Sequence, residues 1–314
     1  MIRIGVDVMG GDHAPQATMG GVLLALPHLA PEESIVLFGH EATIRQHLAE
    51  HGITDGRVDI VPTSEVIAMD EHPTKAFSRK QDSSMVRGFM ALAAGKIDGF
   101  ASAGNTGAVM VGAMMVVKQI PGIIRPALAT CLPVGEHNSN VLLDVGLNPD
   151  CRPDVLYQYG IMGSLYAKQT LGIDSPRVAL INIGEEETKG NLVVKSAHEQ
   201  MKDTNDFNFV GNVEGGHFFS KDKADVLVCD GFVGNVVLKM AESFYRIMRN
   251  DLPNSPVVNR FNPERYGGTP VLGVNKPVIK AHGASSATAI MNMILQTREV
   301  IKSNLCEQIR KTFS

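Results

Sequence analysis

Eight short apolar runs punctuate the chain, and most of them end in glycine. They are IRIGVDVMGG from Ile2, SIVLFG from Ser34, RVDIVP from Arg57, IDGFASAG from Ile97, NVLLDVG from Asn140, RVALINIG from Arg177, FNFVGNVEGG from Phe207 and DVLVCDG from Asp225. Apolar residues follow one another in these runs instead of alternating with polar ones, which predicts strands buried on both faces. The stretches between them carry helical periodicity. After Pro15, residues Met19, Val22, Leu23 and Leu26 share one face, and Pro153 to Leu171 is a second such segment. Ala108 to Val117 is uniformly apolar, too short to span a bilayer, and predicts a buried helix. Alternating strands and helices predict an α/β fold: a largely parallel sheet in a three-layer α/β/α sandwich. The pattern breaks over residues 246–269, where prolines, asparagines and Gly267-Gly268 predict an irregular projecting connector within one compact domain, residues 1–314.

Composition narrows the function classes. The 314 residues carry a net charge of −4, contain no tryptophan and are only 5% aromatic, so neither a basic field nor a stacking platform for nucleic acid is expected. Cys131, Cys151, Cys229 and Cys306 form no C-x-x-C pair, which predicts free thiols and no zinc knuckle. Asp7 interrupts the opening residues too early for a signal peptide, and a cytoplasmic protein is expected. There is no H-E-x-x-H and no G-x-S-x-G, so neither a metal site nor a serine-hydrolase triad is expected, and no cofactor fingerprint is present.

In open α/β sheets ligands bind beyond the carboxyl ends of the strands, where this chain places its glycines. Gly10-Gly11-Asp12 allows close backbone approach to a ligand, or makes a tight turn in which Asp12 caps the next helix. Gly104-Asn105-Thr106-Gly107 leads from a strand into the apolar helix and suits a phosphate at a helix N-terminus, or is a sharp turn. Lys189 is a lone cation after three acids, a point charge for an oxyanion or part of a solvated face. Gly234 and Asn235 open another helix and offer a second anion nest. His282 lies between a strand and a small-residue helix start, as an acid, a phosphate donor or a structural histidine.

Taken together and in order, VDVMGGDHAP, SRKQDSSM, SAGNTGA, LLDVG, LINIGEEETKG, FVGNVEG, VCDGFVGNVVLK and YGGTPVLGVN…VIKAHGASS resemble the PlsX family over nearly the whole chain. These are phosphate acyltransferases of bacterial phospholipid synthesis. The resemblance implies a fold similar to phosphotransacetylases and isocitrate-dehydrogenase-like proteins, and a homodimer. It implies transfer of a fatty acyl group from acyl carrier protein to inorganic phosphate, with a membrane acyltransferase as the consumer of the acyl phosphate. The chain departs from family members at Leu147-Asn148, where an Ala-Asn pair is common. It also departs between Phe244 and Tyr266, where membrane-docking members carry a longer amphipathic hairpin. Membrane association is therefore expected to be peripheral, at the inner face, and to depend on a partner.

This reaction asks chiefly for positioning and oxyanion stabilisation, because phosphate is already anionic and a thiolate leaves readily. Lys189, His282 and Asn235 are the catalytic candidates. Gly10, Gly11, Asp12, Gly104, Asn105, Thr106, Gly107 and Gly234 are the substrate-binding candidates. Lys75, Arg79, Lys80 and Arg87 form a basic stretch that suits an acidic carrier protein or is a solvated helix face. Two rival readings are a phosphotransacetylase-like enzyme acting on coenzyme A thioesters and a non-catalytic carrier-binding scaffold.

Overall fold

The computed structural model describes residues 1–135 and 138–313. The chain forms two compact units: residues 1–119 with 264–306, and residues 120–263 with the C-terminal segment from 307. In chain order the first unit begins with β1 (Ile2–Asp7), α1 (Gln16–Ala25), β2 (Glu33–Gly39), α2 (Glu41–Glu50), β3 (Val58–Pro62), α3 (Pro73–Arg79), α4 (Ser84–Ala93), β4 (Gly99–Ser102) and α5 (Thr106–Val111), which runs on as a π-helical stretch, Gly112–Val117. The second unit follows with β5 (Ala127–Val134), β6 (Asn138–Leu143), α6 (Pro153–Leu171), β7 (Arg177–Ile181), α7 (Leu192–Met201), β8 (Asn208–Val213), β9 (Val226–Val228), α8 (Gly231–Asp251) and α9 (Pro256–Arg260). The chain then returns to the first unit with β10 (Thr269–Leu272), β11 (Val278–Lys280) and α10 (Ala287–Lys302), and ends with α11 (Leu305–Phe313).

In the first unit the strand order is β3-β2-β1-β4-β11-β10, parallel except for the β10–β11 pair. Register places Val6 opposite Leu37 and Ala101 opposite Ile279. Helices lie on both faces, as two adjacent residues of β4 show. A Cβ on Gly99 would come within 2.8 Å of Thr297 on α10, whereas the ring of Phe100 packs where a Cβ on Gly88 of α4 would lie, at 2.1 Å. Neighbouring strand residues face opposite ways, so α10 and α4 cover opposite faces, giving three layers. Phe100 stacks edgewise on Phe38 and Phe89, with centroids 6.0 and 5.0 Å apart, and fills the layer under α4.

In the second unit the order is β5-β6-β9-β7-β8, with β5–β6 antiparallel and the rest parallel. Helix α6 matches its sequence signals. Pro153 stands in the first turn, and Gly172 ends the helix with φ +71°, the left-handed conformation that glycine adopts without strain. Gly163 lets α6 settle onto Val226 and Leu143.

The stretch 246–269 is more regular than its composition suggests. Residues 246–251 are the last turns of α8, and Ser255 caps α9 through the N–H of Val258. Pro253 and Pro256 lie after the end of α8 and at the start of α9, where proline is tolerated. Among the described residues, no helix is long and apolar enough to cross a membrane.

Candidate active site

The first unit gathers three of the glycine segments around one buried carboxylate. Asp7 ends β1 and is 1% exposed. The hydroxyls of Ser84 and Ser102 donate to its two oxygens at 2.6 and 2.7 Å. The Ser102 oxygen in turn accepts from the N–H of Gly104 at 3.0 Å. Burial pushes the Asp7 carboxyl above the ordinary carboxylate range, against the opposing pull of both serines and the backbone of Met9 and Gly10. A side chain is excluded at Gly10, because a Cβ there would stand 2.4 Å from Asp7 Oδ2 and 2.8 Å from Gly104 N. The N–H of Asp12 donates to the carbonyl of Gly283 at 2.8 Å, which ties the first loop to the His282 segment.

This geometry sorts the residues expected to bind phosphate. The N–H of Gly104 is engaged by Ser102. The Asn105 carboxamide is engaged twice: its oxygen caps α5 by accepting from Ala108 N, and its nitrogen donates to the carbonyls of Ala68, Met69 and Glu71. Asn105 is thus a clamp on the 68–71 loop. The first two N–H groups of the helix, on Thr106 and Gly107, have no intrahelical acceptor, and Thr106 is exposed. They are the donors left to meet an anion. Asp12 does not cap α1; the cap position is Pro15, with no side-chain cap, because the Asp12 loop is turned toward Gly283. His282 is exposed, and its Nδ1 accepts from the N–H of Ala284 at 3.3 Å, a contact that fixes the ring locally.

One residue of this region escaped the sequence reading. Lys280 ends β11, is 6% exposed, and stands opposite Ser102 in the β4–β11 register; its Nζ donates to the carbonyl of Ala281. A lysine inside the apolar run PVIKA is the signal that could have marked it, since lysine is rarely buried without a purpose.

Of the basic stretch, Lys80 is engaged internally. Its Nζ is 2.6 Å from Glu71 Oε2 and 2.6 Å from the carbonyl of Val66. Arg87 faces Asp82 at 3.6 Å, and Lys75 and Arg79 are exposed on α3.

The second unit brings together Asn182–Asn191 and Asp230–Asn235 at the ends of β7 and β9. Between them lies a cavity of about 540 Å³. Lys189 is exposed and packs its side chain over Gly184, in a loop where the Asn182 amide donates to the Lys189 carbonyl at 3.1 Å. Gly234 is a packing glycine: a Cβ there would stand 1.9 Å from the carbonyl oxygen of Asp144. The Asn235 amide donates to the carbonyl of Val145 at 3.2 Å, steadying the Val145-Gly146 turn. Asp144 organises that turn by accepting from the N–H groups of Leu128, Leu147 and Asn148. Burial pushes the Cys151 thiol up to about 11 and the Cys229 thiol well above its ordinary value, so neither is a ready nucleophile. Among the described residues no group of three or more His, Cys, Asp or Glu side chains could hold a metal.

A family model described as fatty acid synthesis protein matches residues 2–308. The chain belongs to this family. Proteins named phosphate acyltransferase are similar to it over nearly their full length. The one from Bacillus subtilis is 40% identical, with 99% of this chain and 97% of the relative covered. The one from Salinibacter ruber is 40% identical over the same shares, and that from Halothermothrix orenii is 39% identical over 99% and 98%. Among solved structures, a phosphotransacetylase from Staphylococcus aureus superposes with a TM-score of 0.63 at 16% identity, covering 95% of this chain and 94% of the other. A branched-chain phosphotransacylase from Enterococcus faecalis gives 0.64 at 14% identity, covering 96% and 99%. These two similarities establish the fold, as the family's glycine pattern led one to expect.

Proposed function

We propose that this family member transfers an acyl group from the thioester of acyl carrier protein to inorganic phosphate. The observation that carries the reading is the full-length similarity, at about 40% identity, to proteins named phosphate acyltransferase. A phosphate oxygen attacks the thioester carbonyl, the tetrahedral oxyanion collapses, the C–S bond breaks, and acyl phosphate and the carrier thiolate leave. A free thiol has a pKa of about 8.5, so the thiolate needs little acid help. Burial raises the Cys131, Cys151 and Cys229 thiols above their ordinary range, which fits direct attack by phosphate better than an acyl-enzyme on any of them.

In this reading the N–H groups of Thr106 and Gly107 receive phosphate, with Gly10, Gly11 and Gly104 letting the loops close around it. In the same unit as those donors, His282 supplies charge or a proton to the oxyanion or the leaving thiolate. The exposed cations Lys75, Arg79 and Arg87 meet the acidic carrier protein. A homodimer is supported by α8, where Phe232, Val236, Met240, Phe244 and Ile247 recur at helical spacing and are all exposed, the first and last 66%. Such a stripe is characteristically covered by a second surface, and the sedimentation mass tests it. An acyl phosphate consumed at the membrane fits a peripheral location set by a partner enzyme.

The test is phosphate-dependent release of carrier thiol from palmitoyl carrier protein by the purified chain. Release that requires phosphate is expected. No release would favour a carrier-binding scaffold, and release from palmitoyl coenzyme A alone would favour the coenzyme A reading.

A further inference from the structure

We propose that the cavity at the ends of β7 and β9 holds the hydrocarbon chain of the substrate, an assignment that rests on the acyl-transfer reading above. The cavity lies wholly within the second unit, and its volume of about 540 Å³ falls inside the roughly 300–1,000 Å³ range of ligand pockets. Leu156, Leu180, Ile181, Val193, Val194 and Val233 supply its walls.

Asp150 in the wall is exposed, and the other polar side chains there are engaged elsewhere. Asn191 Oδ1 caps α7 by accepting from Val194 N at 2.9 Å, and Asp230 Oδ1 caps α8 by accepting from Val233 N at 2.8 Å. Asn182 accepts from Ile183 N and donates to the Lys189 carbonyl. The two thiols in the wall face acceptors of their own: Cys151 the carbonyl of Asn148 at 3.6 Å, and Cys229 that of Asp144 at 3.7 Å. What remains toward the cavity, Asp150 apart, is mostly apolar surface. A pantetheine arm brings amides that need partners, and these walls have few to give; a hydrocarbon chain needs none.

The mouth points the same way. Ile183, one of the lining residues, is 82% exposed, a large apolar side chain left open at the entrance. A chain entering there would cover it. A methylene occupies roughly the volume of a water molecule, about 30 Å³ in the liquid, so the space suits a chain of roughly a dozen carbons or more.

Val193 is half-buried in the first turn of α7 and can be enlarged without disturbing the Asn191 cap. Each methylene removed from an apolar site changes binding about fourfold. Val193→Phe should therefore lower the ratio of kcat/KM for palmitoyl over octanoyl carrier protein by tenfold or more, and Val193→Ala should raise it. In parallel, calorimetry with alkyl phosphonates of increasing chain length reads binding without turnover. Affinity should climb with chain length in the unaltered protein and level off at a shorter chain in Val193→Phe. Unchanged ratios and unchanged length dependence in both variants would overturn the assignment. So would equal weakening of inhibition by unacylated carrier protein, which would place the pantetheine arm there. Length-dependent phosphonate binding by a chain that turns over no acyl carrier protein would instead sink the acyl-transfer reading and leave the cavity assignment standing.

Discussion

Replacing Ser102 by alanine removes both ends of a relay that joins the buried Asp7 to the Gly104 turn. Asp7 loses the hydroxyl at 2.7 Å and keeps Ser84 at 2.6 Å, while the N–H of Gly104 loses its acceptor at 3.0 Å. A hydrogen bond to a charged group contributes about 1.5–3 kcal/mol, and a buried donor left unpaired costs about 1–3 kcal/mol. Relaxation of the turn recovers part of this, so a net loss of about 2–4 kcal/mol is expected, a fall of roughly 3–6 °C in Tm for a chain of this length. Ser84→Ala removes only the other Asp7 donor and leaves Gly104 paired, which makes it the control. If the relay positions the turn whose Thr106 and Gly107 N–H groups meet phosphate, Ser102→Ala should raise the KM for phosphate about tenfold, the equivalent of about 1.4 kcal/mol. Ser84→Ala at similar stability should change it much less. Steady-state kinetics at varied phosphate, with thermal unfolding on the same preparations, provide the comparison. Equal KM values in the two variants would refute the reasoning, and so would an unshifted Tm in Ser102→Ala.

Gly234→Ala should destabilise by about 1–3 kcal/mol or more, because its Cβ would overlap the Asp144 carbonyl at 1.9 Å; an unchanged denaturant midpoint would contradict the close approach. Asp225 is pushed up by burial, but the Arg177 guanidinium and the Lys221 ammonium, at 3.0 and 2.9 Å, overrule this and hold it down at about 2. A depressed carboxylate stabilises the fold above its unfolded pKa, so about 2–3 kcal/mol should drain away as pH falls from about 5 toward 2, and Asp225→Asn should flatten the acid limb of a stability–pH curve. Reversing Lys75 and Arg79 to glutamate should slow association with acyl carrier protein several-fold at low salt and much less at high salt. Lys80→Ala should instead loosen the loop that it ties through Glu71 and Val66, with a loss of Tm and little change in association rate.

Continuous apolar runs made eight strands legible, six of them largely buried, while the edge strands β3 and β8 carry the same kind of run half-exposed. Of the three outside those runs, β11 was marked only as the strand before His282, and two were not marked at all. β5 contains a proline and pairs antiparallel with β6, and β10 sits among the glycines and prolines after Tyr266. Helix α8 was read too short. Its charged and polar residues from Arg246 onward are those of a solvated helix face, and the helix ends only at Asp251, before Pro253. That residues 264–306 return to the first unit is a long-range pairing, and no local pattern encodes it. In the candidate site, what each side chain does depended on partners distant in sequence. Asn105 read as a phosphate ligand and is a clamp on the 68–71 loop; Lys80 read as a docking cation and is held by Glu71. Asp7, at the centre of the constellation, carried no signal beyond a carboxylate at the end of an apolar strand.

The central claim is that phosphate itself is the acyl acceptor. Incubating the purified chain with palmitoyl carrier protein and phosphate labelled with ³²P, then trapping the lipid product on an organic phase, tests this directly. Label should enter a palmitoyl phosphate in step with free carrier thiol, and hydroxylamine should convert that product to a hydroxamate with release of the label. Thiol release accompanied only by unlabelled free fatty acid would mean that water, not phosphate, is the acceptor, and would contradict the account.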